Sequence, residues 1–168
     1  MENIKFKIVL LAAPLLLLAA CHSSQKQEAI EVTHPFAQQN WSYPEQVIDF
    51  PFTITDTSKD YRIEFTLAYD STVNVLSELP VSITLVYPDS MKTYVSSLID
   101  FKTPEREAVI PTEHKGSGCS RTLVAFPKKK LNQPGNYRVS FYRKAEKYDN
   151  YGFNSLTLRV VPADEKRK

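Results

Sequence analysis

The sequence predicts an all-β protein, a single antiparallel β-sandwich of the immunoglobulin or jelly-roll type with about seven strands. Three observations support this prediction. Apolar and polar residues alternate over short segments, turn-forming residues separate these segments, and no segment after residue 18 keeps a helical period. Because each strand is half polar, one face of each sheet stays in water, and two such sheets must pack their apolar faces together.

The first two predicted strands show the alternation best. Residues 47–54 place four apolar side chains on one face, namely Ile48, Phe50, Phe52 and Ile54. Pro51 lacks a backbone N–H, which indicates an edge strand or a bulge. Residues 55–60 are turn formers. In residues 61–69 the inward side chains are Tyr61, Ile63, Phe65, Leu67 and Tyr69, and the outward ones are Arg62, Glu64 and Thr66.

Five further strands follow. Residues 81–87 turn at Pro88-Asp89-Ser90 into residues 92–101, a spacing typical of a hairpin. The others are residues 121–126, 137–142 and 156–160. Residues 128–135 are predicted as a basic turn, whose lysines Lys128, Lys129 and Lys130 either contact anionic headgroups or are simply solvated. Residues 102–120 and 145–153 are long connections.

The N-terminal segment predicts a lipoprotein signal peptide. Lys5 and Lys7 give a positive start, and the apolar run from residue 8 to residue 18 is too short to cross ~30 Å of hydrocarbon as a helix. Leu18-Ala19-Ala20-Cys21 then matches the bacterial lipobox, after which Cys21 is acylated, palmitate included, and becomes the new N-terminus. An ordinary secretory signal with an incidental cysteine is the alternative.

By composition, the whole chain divides into four predicted segments. They are a signal peptide (residues 1–20), a polar tether (residues 21–40), the sandwich domain (residues 41–162) and a charged tail (residues 163–168). Position 22 is not Asp, the residue that holds many lipoproteins in the inner membrane, and no acidic cluster follows Cys21. We therefore expect a lipid-anchored protein of the outer membrane that faces the periplasm. After acylation of Cys21, Cys119 is the remaining thiol, so we expect no internal disulfide.

Charge and glycine content exclude several function classes. Lys and Arg number 21 against 19 Asp and Glu, and the net charge of +2 does not indicate a nucleic-acid partner. With only four glycines, and Arg121 where a third loop glycine would stand, neither G-x-G-x-x-G nor a P-loop is present. The sequence thus predicts no nucleotide cofactor.

No complete set of catalytic or metal-binding residues is apparent. His114 and Cys119 share one loop and could meet as a thiolate–imidazole pair or as two metal ligands. A nucleophile also needs an orienting group and zinc needs three or four ligands, and no further motif supplies them. Glu64, Glu78, Asp100, Glu105 and Glu107 stand in no acid–base motif. We expect no catalytic residue, no bound metal, no cofactor and no enzyme activity.

Aromatic residues outside the strand pattern are the candidate contact residues. Trp41 and Tyr43 precede the first predicted strand, and Tyr148 and Tyr151 lie in a polar loop with Asp and Asn. Exposed aromatic rings beside such residues stack sugars or anchor protein partners. The alternative is that these rings cap the open ends of the sandwich.

Several segments together resemble the gliding-motility lipoprotein family GldH. They are Trp41, the stretch Ile48-Asp49-Phe50-Pro51-Phe52-Thr53-Ile54-Thr55-Asp56-Thr57, Tyr61-Arg62-Ile63, Gly116-Ser117-Gly118, Phe126-Pro127, Pro134-Gly135-Asn136-Tyr137 and the stretch from Phe153 to Val160. The resemblance runs in order over most of residues 41–161. It implies an outer-membrane lipoprotein that is a non-enzymatic accessory or structural part of a cell-envelope assembly, with envelope proteins and membrane lipid as partners. The alternative function is a glycan- or cell-wall-binding module that uses Trp41, Tyr43, Tyr148 and Tyr151.

Overall fold

A computed structural model describes residues 28–42, 45–70, 72–73, 78–101, 112–115, 118–144 and 149–164 of the chain. These residues form eleven strands and a three-residue 3-10 turn, Ala37–Gln39. The strands are β1 (Ile30–Pro35), β2 (Asn40–Trp41), β3 (Val47–Ile54), β4 (Asp60–Tyr69), β5 (Glu78–Val86), β6 (Lys92–Asp100), β7 (Thr112–Lys115), β8 (Gly118–Lys130), β9 (Gly135–Arg143), β10 (Asn150–Tyr151) and β11 (Phe153–Pro162).

The strands build two main sheets. The first sheet has the order β1-β11-β4-β8-β7, the second has the order β3-β9-β5-β6, and β10 and β2 form a small two-stranded sheet. The strand pairs within these sheets are all antiparallel. One hydrophobic cluster unites residues of both main sheets. The predicted all-β, antiparallel sandwich is therefore confirmed.

The inward faces are those that the alternation predicts. Every second residue of β3, from Ile48 to Ile54, is buried, as is every inward residue of β4 from Tyr61 to Tyr69. The ring of Phe65 on β4 lies 5.5 Å from that of Phe50 and 4.8 Å from that of Phe141, measured between centroids. Phe50 and Phe141 belong to the second sheet, so these rings join the two layers.

The predicted hairpin and edge strand are both present. β5 and β6 pair without a register shift from Glu78–Asp100 to Val86–Lys92. β3, which contains Pro51, is the outermost strand of the second sheet. An edge position suits proline because a missing N–H costs no hydrogen bond on the open side.

The first strand begins earlier than predicted. β1 lies within residues 21–40, predicted as a tether, and pairs along β11 from Ile30–Val160 to Pro35–Ser155. The side chains of Ile30 and Val32 pack against the core. β11 has buried residues along its length, and the backbone groups at its edge need partners, which β1 supplies. The predicted domain start at residue 41 is therefore too late.

The predicted basic turn is also shorter than expected. β8 runs to Lys130, so the three lysines belong to the end of a strand. Lys129 Nζ lies 5.7 Å from the ring centre of Tyr87 and 5.8 Å from that of Phe126, and Lys128 Nζ lies 3.5 Å from an Asp60 carboxylate oxygen. Within the predicted connections, β7 and β10 add short strands at residues 112–115 and 150–151. β7 pairs with β8, the next strand along the chain, whereas β10 pairs with β2, more than 100 residues away, and a local pattern does not contain that second pairing.

Candidate functional site

Trp41 lies in the interior of the sandwich. β2 carries it opposite Asn150 of β10, and its side chain has 0% exposure. The indole Nε1 donates to the Glu45 carbonyl oxygen at 2.7 Å. Its ring lies 4.9 Å from that of Phe36 and 5.8 Å from that of Phe153 between centroids. A buried tryptophan needs such an acceptor for its N–H, and here the backbone supplies it.

A buried arginine completes this group, the Trp41 cluster, which consists of Trp41, Arg143 and Asn150. Arg143 is 0% exposed, and its guanidinium carbon lies 5.3 Å from the ring centre of Trp41. Its Nη1 donates to Asn150 Oδ1 and its Nη2 donates to the Ser42 carbonyl oxygen at 3.2 Å. Burial of a charge is costly without such partners, so the cluster holds β2, β9 and β10 in one arrangement.

The contact role predicted for Trp41 is therefore wrong. With no exposed surface, its ring cannot stack on a sugar or contact a partner. The alternative prediction, that aromatic rings outside the strand pattern close the sandwich, holds for this residue. Its sequence neighbours gave no strand pattern strong enough to show burial, because β2 is two residues long and pairs with a strand more than 100 residues away.

The structure describes one of the other three aromatic candidates, Tyr151. Tyr151 is 51% exposed and points away from Asn150, its buried neighbour on β10. Tyr43 and Tyr148 lie outside the described residues, as does Cys21, the predicted lipid attachment site. Tyr151 alone among the four is thus shown at the surface.

His114 and Cys119 are opposite each other in the pairing of β7 with β8. Their predicted proximity is therefore present in the backbone register. Cys119 is half-buried and packs against the core. Among the described residues, no group of three or more His, Cys, Asp or Glu side chains is arranged to hold a metal ion.

Glu64 sits on the outer face of the first sheet, as predicted, yet it is only 2% exposed. Arg62 Nε lies 3.0 Å from one of its carboxylate oxygens and Arg159 Nη1 lies 3.1 Å from the other. Arg159 Nε also lies 3.5 Å from Glu31. The arginine side chains cover the carboxylate, so an outward position becomes a buried ion-pair network. The next row of this face carries hydroxyl pairs, Thr33 with Thr157 and Thr66 with Thr122.

Two ionisable groups at the turn between β3 and β4 have shifted pKa values. The hydroxyl of Ser58 and the ammonium of Lys59 bond the Asp56 carboxylate, and with the Ser58 N–H they lower the pKa of Asp56 to about 2. Tyr61, which follows the turn, donates its hydroxyl to the Asp56 carbonyl oxygen. Burial, with the nearby Asp56 charge, raises the pKa of Tyr61 to about 12. The contacts of both groups lie within this turn or beside it.

The outer face of the second sheet differs from that of the first because it exposes large apolar side chains. We call the four residues Val47, Tyr94, Leu98 and Tyr142 the outer apolar face. They are 52%, 65%, 51% and 37% exposed, and they are four of the six exposed large hydrophobic residues in the described part of the chain. Val47 is opposite Tyr142 in the pairing of β3 with β9.

Residues of β5 lie between the apolar side chains of β9 and those of β6. Leu98 is opposite Pro80, Tyr94 is opposite Thr84, and Tyr142 is opposite Ser82. Charged residues, including Lys92 and Arg138, stand at its margin. Large apolar side chains exposed on one face are typical of a protein contact surface. The sequence contained this signal, since Tyr94, Leu98 and Tyr142 occupy outward positions of alternating strands, where polar residues are expected.

No helix among the described residues has the length and apolar composition needed to cross a membrane.

No family model and no curated protein matches the chain. Among solved structures, the chain is similar to one described as "Structure of infectious bursal disease virus Gx strain", with 12% identity, a TM-score of 0.42, and coverage of 84% of this chain and 34% of that one. It is also similar to "Structure of infectious bursal disease virus Gt strain", with 11% identity, a TM-score of 0.20, and coverage of 81% and 39%. The chain spans little more than a third of either viral chain, and overlap at these scores carries no argument about function.

Proposed function

We propose that this protein is a lipid-anchored outer-membrane lipoprotein, acylated on Cys21 and facing the periplasm. In that position it acts as a non-enzymatic accessory or structural component of a cell-envelope assembly of the gliding-motility type. Support for the anchor comes from the lipobox Leu18-Ala19-Ala20-Cys21. Acyl chains add ~0.8 kcal/mol per buried CH₂, so several chains anchor a protein stably at a membrane.

The observation that carries the accessory role is the outer apolar face. The second sheet packs its inner side in the core, so the exposed side chains of Tyr94, Leu98 and Tyr142 on its outer side do not contribute to that core. Large apolar side chains exposed on one face of a chain favour a protein partner, because contact removes their surface from water. Aromatic residues at such sites contribute most of the binding free energy. We infer that an envelope protein covers this face.

The anchor is tested by metabolic labelling with palmitate followed by membrane fractionation. The native chain is expected to take up label and to sediment with the outer membrane. A Cys21→Ala variant is expected to remain unlabelled. Label on the Cys21→Ala variant, or none on the native chain, would contradict the anchor.

The partner is tested by capture of the native chain from crosslinked, detergent-solubilised envelopes, with proteins identified by mass. We expect secretion or motility components with the native chain and their loss with Tyr142→Ser. Tyr151→Ser is the comparison variant, since Tyr151 is also an exposed tyrosine but lies on β10, and loss of partners with this variant alone would assign the contact to Tyr151 instead. Recovery of glycan without protein would overturn the proposal in favour of the glycan-binding alternative. Equal recovery with both variants would show that the outer apolar face is not the contact.

A further inference from the structure

The two edges of the second sheet differ in their protection against pairing with another strand. Open edges expose backbone N–H and C=O groups, and proteins shield them with prolines, bulges or charges. The β3 edge has Pro51 and the exposed Asp49 within the strand. β6 has nine residues in regular pairing, no proline, and charges only at its two ends, Lys92 and Asp100. Within the described residues, β6 has one hydrogen-bonded neighbour, β5.

The hairpin geometry shows which backbone groups of β6 face this edge. Tyr87 N–H donates to the Met91 carbonyl oxygen at 2.9 Å, so Tyr87 and Met91 are a hydrogen-bonded pair. In an antiparallel ladder such pairs alternate with non-bonded ones. Odd-numbered residues of β6 therefore bond to β5, and the backbone groups of the even-numbered residues from 92 to 100 point away from it. Pro80 fits this pattern because it is opposite Leu98, in a non-bonded pair that needs no N–H.

We propose that β6 pairs with β6 of a second copy of this chain, antiparallel, about a two-fold axis at Ser96. This register uses the outward backbone groups of both strands, so Ser96 is opposite the second copy's Ser96. It also places Tyr94 opposite Leu98 and Lys92 opposite Asp100, each twice by symmetry. Cross-strand apolar pairs and opposite charges both stabilise antiparallel pairing. β6 is thus complementary to itself in both charge and hydrophobicity.

The side chains at these positions allow the pairing. Tyr94 and Leu98 are 65% and 51% exposed in the single chain, so each has surface to lose on contact. Asp100 also interacts within its own chain, and a carboxylate with about four lone-pair sites accepts the second copy's Lys92 in addition. The dimer would join two four-stranded sheets into a continuous one and bring the two outer apolar faces side by side. The inference does not depend on Cys21 or on the proposed function.

Disulfide trapping in the full chain tests the register. In a hydrogen-bonded antiparallel pair the Cα atoms lie about 5.5 Å apart, within the ~4.4–6.8 Å range of disulfides. Ser96→Cys, in a Cys119→Ser background, is therefore expected to give a dimer under mild oxidation. Ser82→Cys is the matched control on the same face, one strand further in, where the two-fold copies are ~14 Å apart. The Cys119→Ser variant without an added cysteine measures any crosslink through Cys21.

We expect at least ~10 times more crosslinked dimer with Ser96→Cys than with Ser82→Cys, because only the first pair meets disulfide geometry. Equal crosslinking of the two variants, no dimer with Ser96→Cys, or an adduct with a different protein would overturn the proposal. The native chain, purified whole in detergent, is expected to sediment with a protein mass twice that of one chain. Sedimentation of the native chain with the mass of one chain at all concentrations would also contradict the proposed dimer.

Two further variants separate pairing from folding. Ser96→Pro removes an N–H that β5 does not use, so the fold is expected to survive while the dimer is lost. Lys92→Asp is expected to weaken association about tenfold through like charges, and addition of Asp100→Lys is expected to restore it. Circular dichroism checks that each variant is folded. A folded Ser96→Pro variant that still dimerises would refute pairing through β6.

Discussion

Replacement of Trp41 by alanine separates a structural role from a contact role. The side chain is fully buried, packs on Phe36, Phe153 and Arg143, and donates to the Glu45 carbonyl oxygen. Truncation of a buried Trp to Ala costs ~3–5 kcal/mol, and the part-buried Glu45 carbonyl oxygen left without its donor adds about 1 kcal/mol. We therefore expect Trp41→Ala to lower the free energy of unfolding by about 5 kcal/mol. For a chain of this size that is a fall in melting temperature of roughly 10–20 °C.

Urea unfolding followed by far-UV circular dichroism measures this loss. Tryptophan fluorescence cannot follow the variant, since Trp41 is the single tryptophan of the chain. In the native protein the same fact is useful, because emission from a buried indole should resist quenching by acrylamide. Trp41→Phe keeps most of the packing but loses the N–H, and we expect a loss of about 1–2 kcal/mol. This variant serves if the alanine variant does not fold.

An exposed tryptophan would behave differently. Surface substitutions usually change stability by less than ~0.5 kcal/mol. A Trp41→Ala variant within that range, with reduced binding to glycan or protein, would refute the burial argument and return Trp41 to the candidate contact residues. Tyr151→Ala is the comparison, because half of the Tyr151 side chain is exposed and its loss should have a much smaller effect.

Three further predictions concern the backbone and pH. Gly152 has φ +86°, and a Cβ there would lie 2.4 Å from Val73 N. Gly152→Ala should therefore lower the free energy of unfolding, measured by urea titration, by more than ~2 kcal/mol. An unchanged midpoint of the urea titration would contradict this close approach. The pKa of Asp56 is lowered in the folded state to about 2 from 3.8, so its stabilising effect is present above pH 3.8 and lost as pH falls toward 2. Asp56→Asn should therefore flatten the acid limb of the stability curve, and an identical limb would refute the assignment. The pKa of Tyr61 is raised to about 12 from 10.0, so the free energy of unfolding should fall as pH rises from 10 to 12. Tyr61→Phe should make this fall with pH less steep. An unaltered fall in the variant would show that another group causes it.

Strand positions were predictable because the period of two is a local signal. Each residue of β3 and β4 lies on the inner or the outer face of its sheet according to its parity, and the apolar residues at the inward positions are visible in the sequence. The β5–β6 hairpin was predictable for the same reason, since its two strands are neighbours along the chain. Acylation of Cys21 and the resemblance to the gliding-motility family stay predictions.

The candidate site was much less predictable. Trp41 stands in a two-residue strand, too short for any period, and its burial depends on Arg143 and Asn150, more than 100 residues along the chain. The outer apolar face had a visible signal in the outward Tyr94, Leu98 and Tyr142, but four strands must assemble before these side chains share a surface.

The sequence by itself determined the seven longest strands and which side of most of them is apolar, because alternation acts over neighbouring residues. Only the tertiary structure decided which strands pair beyond the β5–β6 hairpin, and with that the burial of Trp41 and Glu64, the addition of β1 to β11, and the open edge of β6. These features depend on contacts between residues far apart in the chain. No local pattern contains such contacts, since their free energy appears only when the sheets are complete.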